Sequence, residues 1–346
     1  MRNCKIWILM LILMCAVKCA AGAEYHNYCG GLHSHTSYSD GKGVPEEAYD
    51  YARNTAGVDF WAITDHFEFL TLPAEVAQGE VSEWDKLLKA ADAKNDDGEF
   101  VAIAGFEWSM DVLTGHINVM NTKETPVHGK VGFLSPFYRW LARTPAETIA
   151  GFNHPGDEER MFNDFKYDPK IDERIIYIEV FNDQGKAKFY RDKYFKALDA
   201  GWHVAPAGAQ DNHRPDWGTR SGNKTCVWAE ELTREAVFSA LRSLRFYAAN
   251  DANLSLSFHG NDVWMGQKVK GKTAELIVEA HDTDNDVIKL VRILTEGGNV
   301  VEERQVNAPD AYLNITVPIN AKTYLVAEVI EEDGNSAFSA PIWYEP

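Results

Sequence analysis

The chain has few cysteines, few basic residues relative to acidic ones, and no long apolar run after its first two dozen residues. Three of the five cysteines lie within the first 19 residues, and the two that remain are too few for a metal site built on sulfur, so any metal here must rest on nitrogen and oxygen ligands. Lys and Arg number 34 against 52 Asp and Glu, a formal net charge of −18. This balance argues against nucleic acid as a partner, because phosphate backbones need a basic footprint.

The first 23 residues are typical of a cleavable secretory signal. Arg2 and Lys5 precede the apolar stretch Ile6–Val17, and Ala21-Gly22-Ala23 resembles a cleavage site. The stretch is shorter than the ~20 residues that cross a bilayer. Cleavage after Ala23 would remove three basic residues and no acidic one, which takes the net charge from −18 to −21. We therefore expect a secreted or periplasmic protein without stable membrane insertion once the signal is cleaved.

Cleavage would also leave only two cysteines, Cys29 and Cys226. In an exported chain two cysteines can form a disulfide, but they can equally remain separate buried thiols. The sequence leaves both outcomes open.

Residues 24–250 alternate short apolar segments with helical patterns, which predicts an α/β unit. The apolar runs are typical of strands covered on both faces. The predicted strands are Gly30–His35, Asp59–Thr64, Phe100–Gly105, His116–Met120, Ile149–Asn153, Ile175–Phe181 and His203–Ala207. The predicted helices are Pro45–Asn54, Ser82–Ala93, Pro136–Arg143, Gly185–Ala200 and Glu231–Ser243.

The pattern changes to alternating strand-like runs over residues 251–346. Gly297-Gly298-Asn299 and Asp333-Gly334-Asn335 are turn signals between these runs. About a hundred residues of this kind predict a small all-β sandwich. Since it carries no dense group of polar residues, we expect this second domain to be auxiliary rather than catalytic.

Histidines and carboxylates recur at the ends of the predicted strands in the first domain. His33 and His35 are two residues apart, so their side chains lie on one face of a strand and can bind one ion. Each residue alone is weak evidence. Together they predict one polar site, because the carboxyl ends of strands in a parallel α/β barrel open onto one face. The further members of the set are Asp40, His66, Glu107, His116, His154, Asp211 and His213.

These segments together resemble the PHP superfamily (polymerase and histidinol phosphatase), and within it the carbaryl-hydrolase-like branch. The resemblance rests on four segments and covers about residues 28–250. It implies a distorted (β/α)7 barrel, here followed by the small sandwich domain, with three metal ions and phosphoesterase activity. The segments are Leu32-His33-Ser34-His35 through Asp40-Gly41, Thr64-Asp65-His66, Asn153-His154-Pro155 and Asp211-Asn212-His213.

The resemblance also implies how the ligands divide among the three metals. His33, His35, Glu107 and Asp211 would hold the first metal. Glu107 would bridge to a second metal held by His116 and His154. Asp40, His66 and His213 would hold the third. Glu107, Asp211 and His213 are the catalytic candidates among these residues, while Glu179 matches a frequent family position without a clear ligand role.

Imidazole and carboxylate ligands without thiolate suit zinc, manganese or iron. We expect up to three divalent ions, with zinc as the first choice. A water that bridges two such ions loses a proton near neutral pH and becomes the nucleophile of a hydrolase. Arg160, Arg214 and Arg220 lie near the ligand loops and are candidates for binding a phosphate, although each can equally form a salt bridge.

The expected function is an exported metal-dependent hydrolase that acts on a small phosphoester. The same site chemistry would also hydrolyse a carboxyl ester, a carbamate or an amide. A third hypothesis is a non-catalytic binding protein that retains metals for stability. The sequence predicts a small-molecule substrate and leaves protein partners unknown.

Overall fold

The computed structural model describes residues 24–111, 114–156, 161–183 and 188–346. The predicted signal, residues 1–23, and the candidate Arg160 lie outside the described residues. Within the described ranges no helix combines the length and the apolar character that a membrane crossing requires.

The protein is a mixed α/β molecule in which strands predominate. The strands are β1 (His26–Gly31), β2 (Phe60–Ile63), β3 (Val101–Trp108), β4 (His116–Met120), β5 (Ile149–Asn153), β6 (Ile175–Asn182), β7 (Lys188–Phe189), β8 (Ala205–Gly208), β9 (Lys224–Ala229), β10 (Phe246–Ala249), β11 (Leu254–Gly260), β12 (Val263–Trp264), β13 (Lys268–Lys270), β14 (Thr273–Asp282), β15 (Ile288–Leu294), β16 (Val300–Ala308), β17 (Asp310–Pro318), β18 (Thr323–Glu331), β19 (Ser336–Ser339) and β20 (Ile342–Glu345). The helices are α1 (Pro45–Tyr51), α2 (Glu83–Lys94), α3 (Leu134–Leu141), α4 (Phe162–Phe165), α5 (Arg191–Asp199) and α6 (Arg234–Arg242).

Helix starts follow local capping chemistry. Pro45 occupies the first turn of α1, where its fixed φ suits a helix and its missing N–H costs nothing. The Ser82 hydroxyl accepts a hydrogen bond from the Asp85 N–H at the start of α2, and Thr233 does the same for α6. These caps explain why α2 and α6 begin within a few residues of the predicted positions.

A large sheet runs through the molecule in the order β13-β20-β18-β19-β10-β9-β1-β2-β3-β4-β5-β6-β7, with β8 paired to β6 and β15 paired to β16 and β18. A second sheet has the order β12-β11-β14-β17. The strands β2, β5, β6 and β8 are buried along their whole length, which agrees with the predicted covering of both faces. The C-terminal strands join this sheet because β10 pairs with β19.

One strand in the region of the predicted site runs against its neighbours. The pairs β1–β2, β2–β3, β5–β6 and β6–β8 are parallel, whereas β4 is antiparallel to both β3 and β5. The expectation of an all-parallel arrangement is therefore wrong at β4. The reversal has a useful consequence, since the beginning of β4 lies beside the ends of β3 and β5, with His116 opposite Asn153.

Two isolated bridges lie at or near the ends of these strands. Ser34 pairs with Asn212, and His66 pairs with Glu107. The first is reinforced by the His35 N–H, which donates to the Asn212 carbonyl at 2.8 Å. The segment after β8 therefore lies beside the segment after β1, and both carry predicted ligands.

The predicted helix Gly185–Ala200 is too long. The helix in this region, α5, begins at Arg191 because Lys188–Phe189 form β7 instead. Phe189 pairs with Phe181 of β6, and their rings stack with centroids 5.2 Å apart. Backbone pairing with β6 and this ring stacking outweigh the helical pattern of the flanking charged residues, although the Phe189 side chain remains half exposed.

The two cysteines after the predicted signal are bonded to each other rather than separate thiols. Cys29 of β1 and Cys226 of β9 are direct partners across an antiparallel pair and form a disulfide. The bond closes a chain segment of 197 residues and joins the first strand to a strand near the end of the first domain.

Candidate metal centre

His33 and His35 lie just past the end of β1 and are both fully buried. Their side chains point to the same side, with the two Nε2 atoms 3.1 Å apart. The indole N–H of Trp217 donates to the His35 carbonyl, and that of Trp61 donates to Ser34 between the two histidines. The buried tryptophans thus hold the backbone of the His-x-His segment in place.

Glu107, near the end of β3, lies at the middle of the cluster. Its carboxylate oxygens are 3.3 Å from His33 Nε2 and 3.5 Å from His35 Nε2. On the other side they are 3.3 Å from His116 Nδ1 and 3.3 Å from His154 Nε2. Since His66 Nδ1 also lies 2.9 Å from this group, a single buried carboxylate touches five imidazoles, which is the position a bridging ligand would occupy.

Asp211 approaches the same pair of histidines from the segment after β8. Its Oδ1 atom lies 3.1 Å from His35 Nε2 and 3.4 Å from His33 Nε2. The φ angles of Asp211 and His154 are 50° and 28°, a backbone region that is costly for residues other than glycine. Strain of this kind, about 1–3 kcal/mol for each residue, tends to be retained at functional sites.

Asp40, His66 and His213 form the outer, partly exposed edge of the centre. Asp40 Oδ1 lies 3.2 Å from His213 Nε2 and 3.7 Å from His66 Nε2. His66 Nδ1 is also 2.9 Å from Glu107 Oε2, so this edge is continuous with the buried part. All nine residues predicted from the sequence as metal ligands are thus brought together.

Three of the imidazoles, those of His33, His35 and His213, share one arrangement: the Nδ1 atom meets an oxygen of the protein, which leaves Nε2 to face the cluster. A neutral imidazole that donates from Nδ1 presents a lone pair at Nε2, and this is how metal-binding histidines are commonly oriented. The Nδ1 contacts are His33 with Glu179 at 2.7 Å, His35 with Ser39 at 3.4 Å and His213 with the Asp211 carbonyl at 3.0 Å. His66 differs, because its Nδ1 lies 2.7 Å from the Ser109 hydroxyl and also 2.9 Å from Glu107 Oε2.

Carboxylates and amides that are not themselves predicted ligands form hydrogen bonds with the ligands and with the segments that carry them. Asp65 accepts hydrogen bonds from the Thr36 N–H, the Thr36 hydroxyl and the Ser39 hydroxyl at 2.6–2.7 Å. Asn153 donates to Glu107 at 2.7 Å. Glu179 accepts from the His154 N–H at 2.7 Å in addition to its contact with His33. Asp65 and Asn153 stand directly before the predicted ligands His66 and His154 in the sequence.

The sequence reasoning did not single out Ser39 or Ser109 as contacts of the imidazoles, nor Asn182, which donates to Glu179 at 2.9 Å. Serine and asparagine are too common near turns to stand out. The sequence marks these residues only by their position within a few residues of a predicted ligand or strand end.

Electrostatics keep the carboxylates of the centre ionised. Burial opposes ionisation of Glu107, but the neighbouring His33, His116 and His66 hold its pKa well below the ordinary value. Burial likewise opposes ionisation of Asp211, and the surrounding histidines lower its pKa. For His66, burial favours the neutral ring, but Glu107 and other carboxylates outweigh it and raise the pKa to about 9. Both carboxylates therefore remain ionised beside the imidazoles.

The residues fit divalent cations. Glu107 Oε2 and Asp211 Oδ1 are buried and have no well-aligned hydrogen bond among the described residues, although each lies close to imidazole nitrogens. Buried polar atoms are rarely left in this state, and a cation between them would satisfy them. Sets whose ligand atoms all lie within 4.8 Å of one another are His33/His35/Glu107, His33/His154/Asp211, His66/Glu107/His116 and His35/Asp40/His66/His213.

These sets overlap with the division among three metals that the resemblance implied, but they do not coincide with it. His154 groups with His33 and Asp211, and His66 groups with Glu107 and His116 as well as with Asp40. Each predicted ligand belongs to at least one set.

The predicted substrate-binding arginines have different surroundings. Arg220 donates to the Asp183 carbonyl at 2.9 Å, and its guanidinium lies 3.6 Å from the Asp216 carboxylate and 3.8 Å from that of Asp183. It therefore forms the salt bridges that the sequence left as the alternative. Arg214 is exposed in the loop that follows His213.

Comparison with known proteins gives three findings. Residues 72–138 match a family described as proteins of unknown function, DUF3604. An uncharacterized protein of Chlamydia pneumoniae is 20% identical over 392 aligned positions, which cover 97% of this chain and 60% of that protein. The chain thus spans less than two thirds of that relative's length.

The third finding is a solved structure from Bacteroides vulgatus, described as a two-domain protein containing a predicted PHP-like metal-dependent phosphoesterase. It superposes with a TM-score of 0.50 over 92% of this chain and 95% of that one, at 16% sequence identity. The two chains share a fold.

Proposed function

We propose that the protein is an exported, metal-dependent phosphoesterase. The observation that carries the proposal is the common orientation of His33, His35 and His213, whose Nε2 atoms face Glu107, Asp211 and Asp40 while their Nδ1 atoms contact oxygens on the far side of the ring. Histidines that only pack in the core are not expected to share one ring orientation. The predicted phosphoesterase in the solved neighbour's description agrees with the proposal.

The nine ligands would hold up to three divalent ions, with zinc first and manganese or iron as alternatives, since the donors are nitrogen and oxygen only. Such ions supply a Lewis acid for the electrophile and lower the pKa of a water to near neutrality. Glu107 and Asp211 hold the buried side of the centre. His213 and Asp40 lie at the accessible edge, where a substrate must enter.

The proposed architecture is a distorted seven-stranded barrel with a small β-sandwich after residue 250, in a protein of the carbaryl-hydrolase-like branch. The Ser34–Asn212 bridge, which brings the end of β8 back to β1, supports closure of the ring. An experimental structure in which β8 lies away from β1 would contradict it.

Hydrolysis of a carboxyl ester, carbamate or amide is the second candidate. One observation favours it: the guanidinium of Arg220 is already neutralised by Asp183 and Asp216, so it is not free to bind a phosphate. A neutral substrate would not need that charge.

A side-by-side assay separates the two candidates. Chromogenic phosphomonoester, phosphodiester and carboxyl-ester substrates are offered to the purified protein with added Zn²⁺ or Mn²⁺. We expect turnover of a phosphoester that falls at least about 100-fold in His35→Ala and Asp211→Ala, because each loses a proposed ligand. His281→Ala, which changes an exposed histidine in the C-terminal region, serves as the control.

Turnover of the carboxyl ester alone would replace the first candidate with the second. Undiminished activity in both ligand variants would place hydrolysis elsewhere and end the proposal.

Export rests on the N-terminal pattern and on the Cys29–Cys226 disulfide, since disulfides persist in oxidising compartments. Amino-terminal sequencing of the mature protein from its native host should begin at Glu24. A mature protein that retains residues 1–23 would contradict cleavage.

A further inference from the structure

A second cluster of carboxylates lies far along the chain from the histidine centre and shares no residue with it. Asp251 follows β10, Asp282 ends β14 and Glu331 ends β18. One oxygen from each lies within 4.8 Å of the others. Asp282 and Glu331 are almost completely buried, with exposures of 0% and 1%, and Asp251 is half-buried. Three segments distant in sequence therefore bring three negative charges to one point.

The side chain of Glu331 is the decisive observation. Both of its carboxylate oxygens are buried, and neither has a hydrogen-bond partner among the described residues. A buried carboxylate without partners is strongly unfavourable. A proton on Glu331 would remove the charge of that one group, whereas a cation between the three carboxylates would interact with all of them at once.

The surroundings offer little positive charge. In the described part of the chain no arginine, lysine or histidine forms a salt bridge with Asp251, Asp282 or Glu331. Lys224 is nearby, but its ammonium group donates to the Ala252 carbonyl at 3.3 Å. Burial, together with Asp251, Asp282, Asp333 and Asp286, raises the pKa of Glu331 to about 8.

The other two carboxylates are held in position by the backbone and by amides. Asp282 Oδ1 accepts from the N–H groups of Asp284 and Asp286 at 2.9 and 2.8 Å, and its Oδ2 accepts from Asn253. Asn335 donates to Asp251 Oδ2 at 3.0 Å. The oxygens are therefore fixed before any ligand arrives. Each retains a lone pair, because a carboxylate oxygen can accept more than one bond.

We propose that Asp251, Asp282 and Glu331 bind one calcium ion. All three donors are carboxylate oxygens, and hard cations such as Ca²⁺ prefer oxygen ligands, whereas zinc in proteins favours nitrogen and sulfur. Water and neighbouring carbonyls complete the coordination of such ions in a flexible shell of six to eight oxygens. The ion fastens the junction where the chain passes from β10 into the C-terminal strands.

The position of the site gives it a structural role. The backbone around Asp251 packs against Gly222, where a Cβ atom would lie only 2.4 Å from the Asn250 carbonyl oxygen. Ser336 donates its N–H to the Asn250 side chain at 2.6 Å, which ties the start of β19 to the same turn. A cation that joins Asp251 to Asp282 and Glu331 therefore links the first domain to two C-terminal strands.

Calcium titration of the full mature chain tests the proposal. Zinc is kept at a constant saturating level throughout, so that the histidine centre is in the same state in every arm. We expect calorimetry to show one Ca²⁺ per chain. The midpoint of thermal unfolding should rise by about 3–6 °C when Ca²⁺ is in hundredfold excess over its dissociation constant.

The matched variants are Glu331→Gln and Glu332→Gln, adjacent residues of which only the first is buried. Glu331→Gln should lose both the binding and the thermal shift, while Glu332→Gln should keep both. Asp251→Asn, at a half-buried position, is the second variant if Glu331→Gln does not fold. Absence of calcium binding in the wild-type chain, or a full calcium response in Glu331→Gln or Asp251→Asn, would overturn the proposal. Because no hydrolase assay is involved, the outcome is independent of the proposed activity.

Discussion

Glu179 shows how a residue that binds no substrate can control the centre. Its Oε1 atom lies 2.7 Å from His33 Nδ1, and its Oε2 atom accepts the His154 N–H. One buried carboxylate therefore orients two of the proposed ligands. Carboxylates that hold a ligand imidazole fix its tautomer and make it a stronger donor.

Glu179→Gln should consequently weaken metal binding without unfolding the protein. The amide keeps the shape but can present its NH₂ group to His33, which no longer favours a lone pair at Nε2. We expect metal affinity to fall about 10–100-fold. Competition with a chromogenic chelator measures it, and Glu147→Gln at the exposed end of the β5 region is the control. An affinity equal to that of the control would show that Glu179 does not orient a ligand.

At the residue scale, the sequence predicted the site best where the residue types are uncommon at their positions. Histidines and carboxylates at strand ends are uncommon enough that nine positions could be predicted, and the structure brings those nine together. Ser109 could not be predicted, because its hydroxyl gains its role from His66, a histidine 43 positions away in the sequence. The contact of Arg220 with Asp183 depends on the same kind of long-range pairing.

At the element scale, β4 determines the shape of the centre. The residues of β4 do not determine its direction, since a short buried strand has the same apolar pattern whether it pairs parallel or antiparallel to its neighbours. The reversal follows from pairing with β3 and β5 on both sides. This is why the sequence predicted the strand His116–Met120 with its observed bounds but not its antiparallel orientation.

The pairing of β5 with β6 makes a further prediction about packing. Gly151 lies opposite Tyr177, and a Cβ atom at this glycine would come within 2.0 Å of the tyrosine ring. Gly151→Ala should therefore destabilise the protein by about 1–3 kcal/mol, because the ring is fully buried and cannot move aside. Denaturant unfolding gives the free energy.

Gly132→Ala is the matched control, since a Cβ atom there meets nothing within 4 Å. It should change stability by no more than about 0.5 kcal/mol. Equal stability of the two variants would show that β5 and β6 do not pack as described.

At the scale of the whole molecule, the change of pattern near residue 250 was readable from the sequence, but the join between the two regions was not. The pairing of β10 with β19 brings together residues about ninety positions apart. The disulfide between Cys29 and Cys226 was left open for the same reason. Local periodicity predicts elements, whereas contacts of this range depend on how the elements assemble.

The proposed function requires several cations within one cluster of histidines and carboxylates. Elemental analysis of the purified mature protein tests this most directly, with zinc, manganese and iron counted separately from calcium. We expect two to three zinc, manganese or iron ions per chain in the wild-type protein. The double variant His35→Ala/Asp211→Ala should contain clearly fewer. Fewer than one such ion per chain in the wild-type protein would contradict the proposed function.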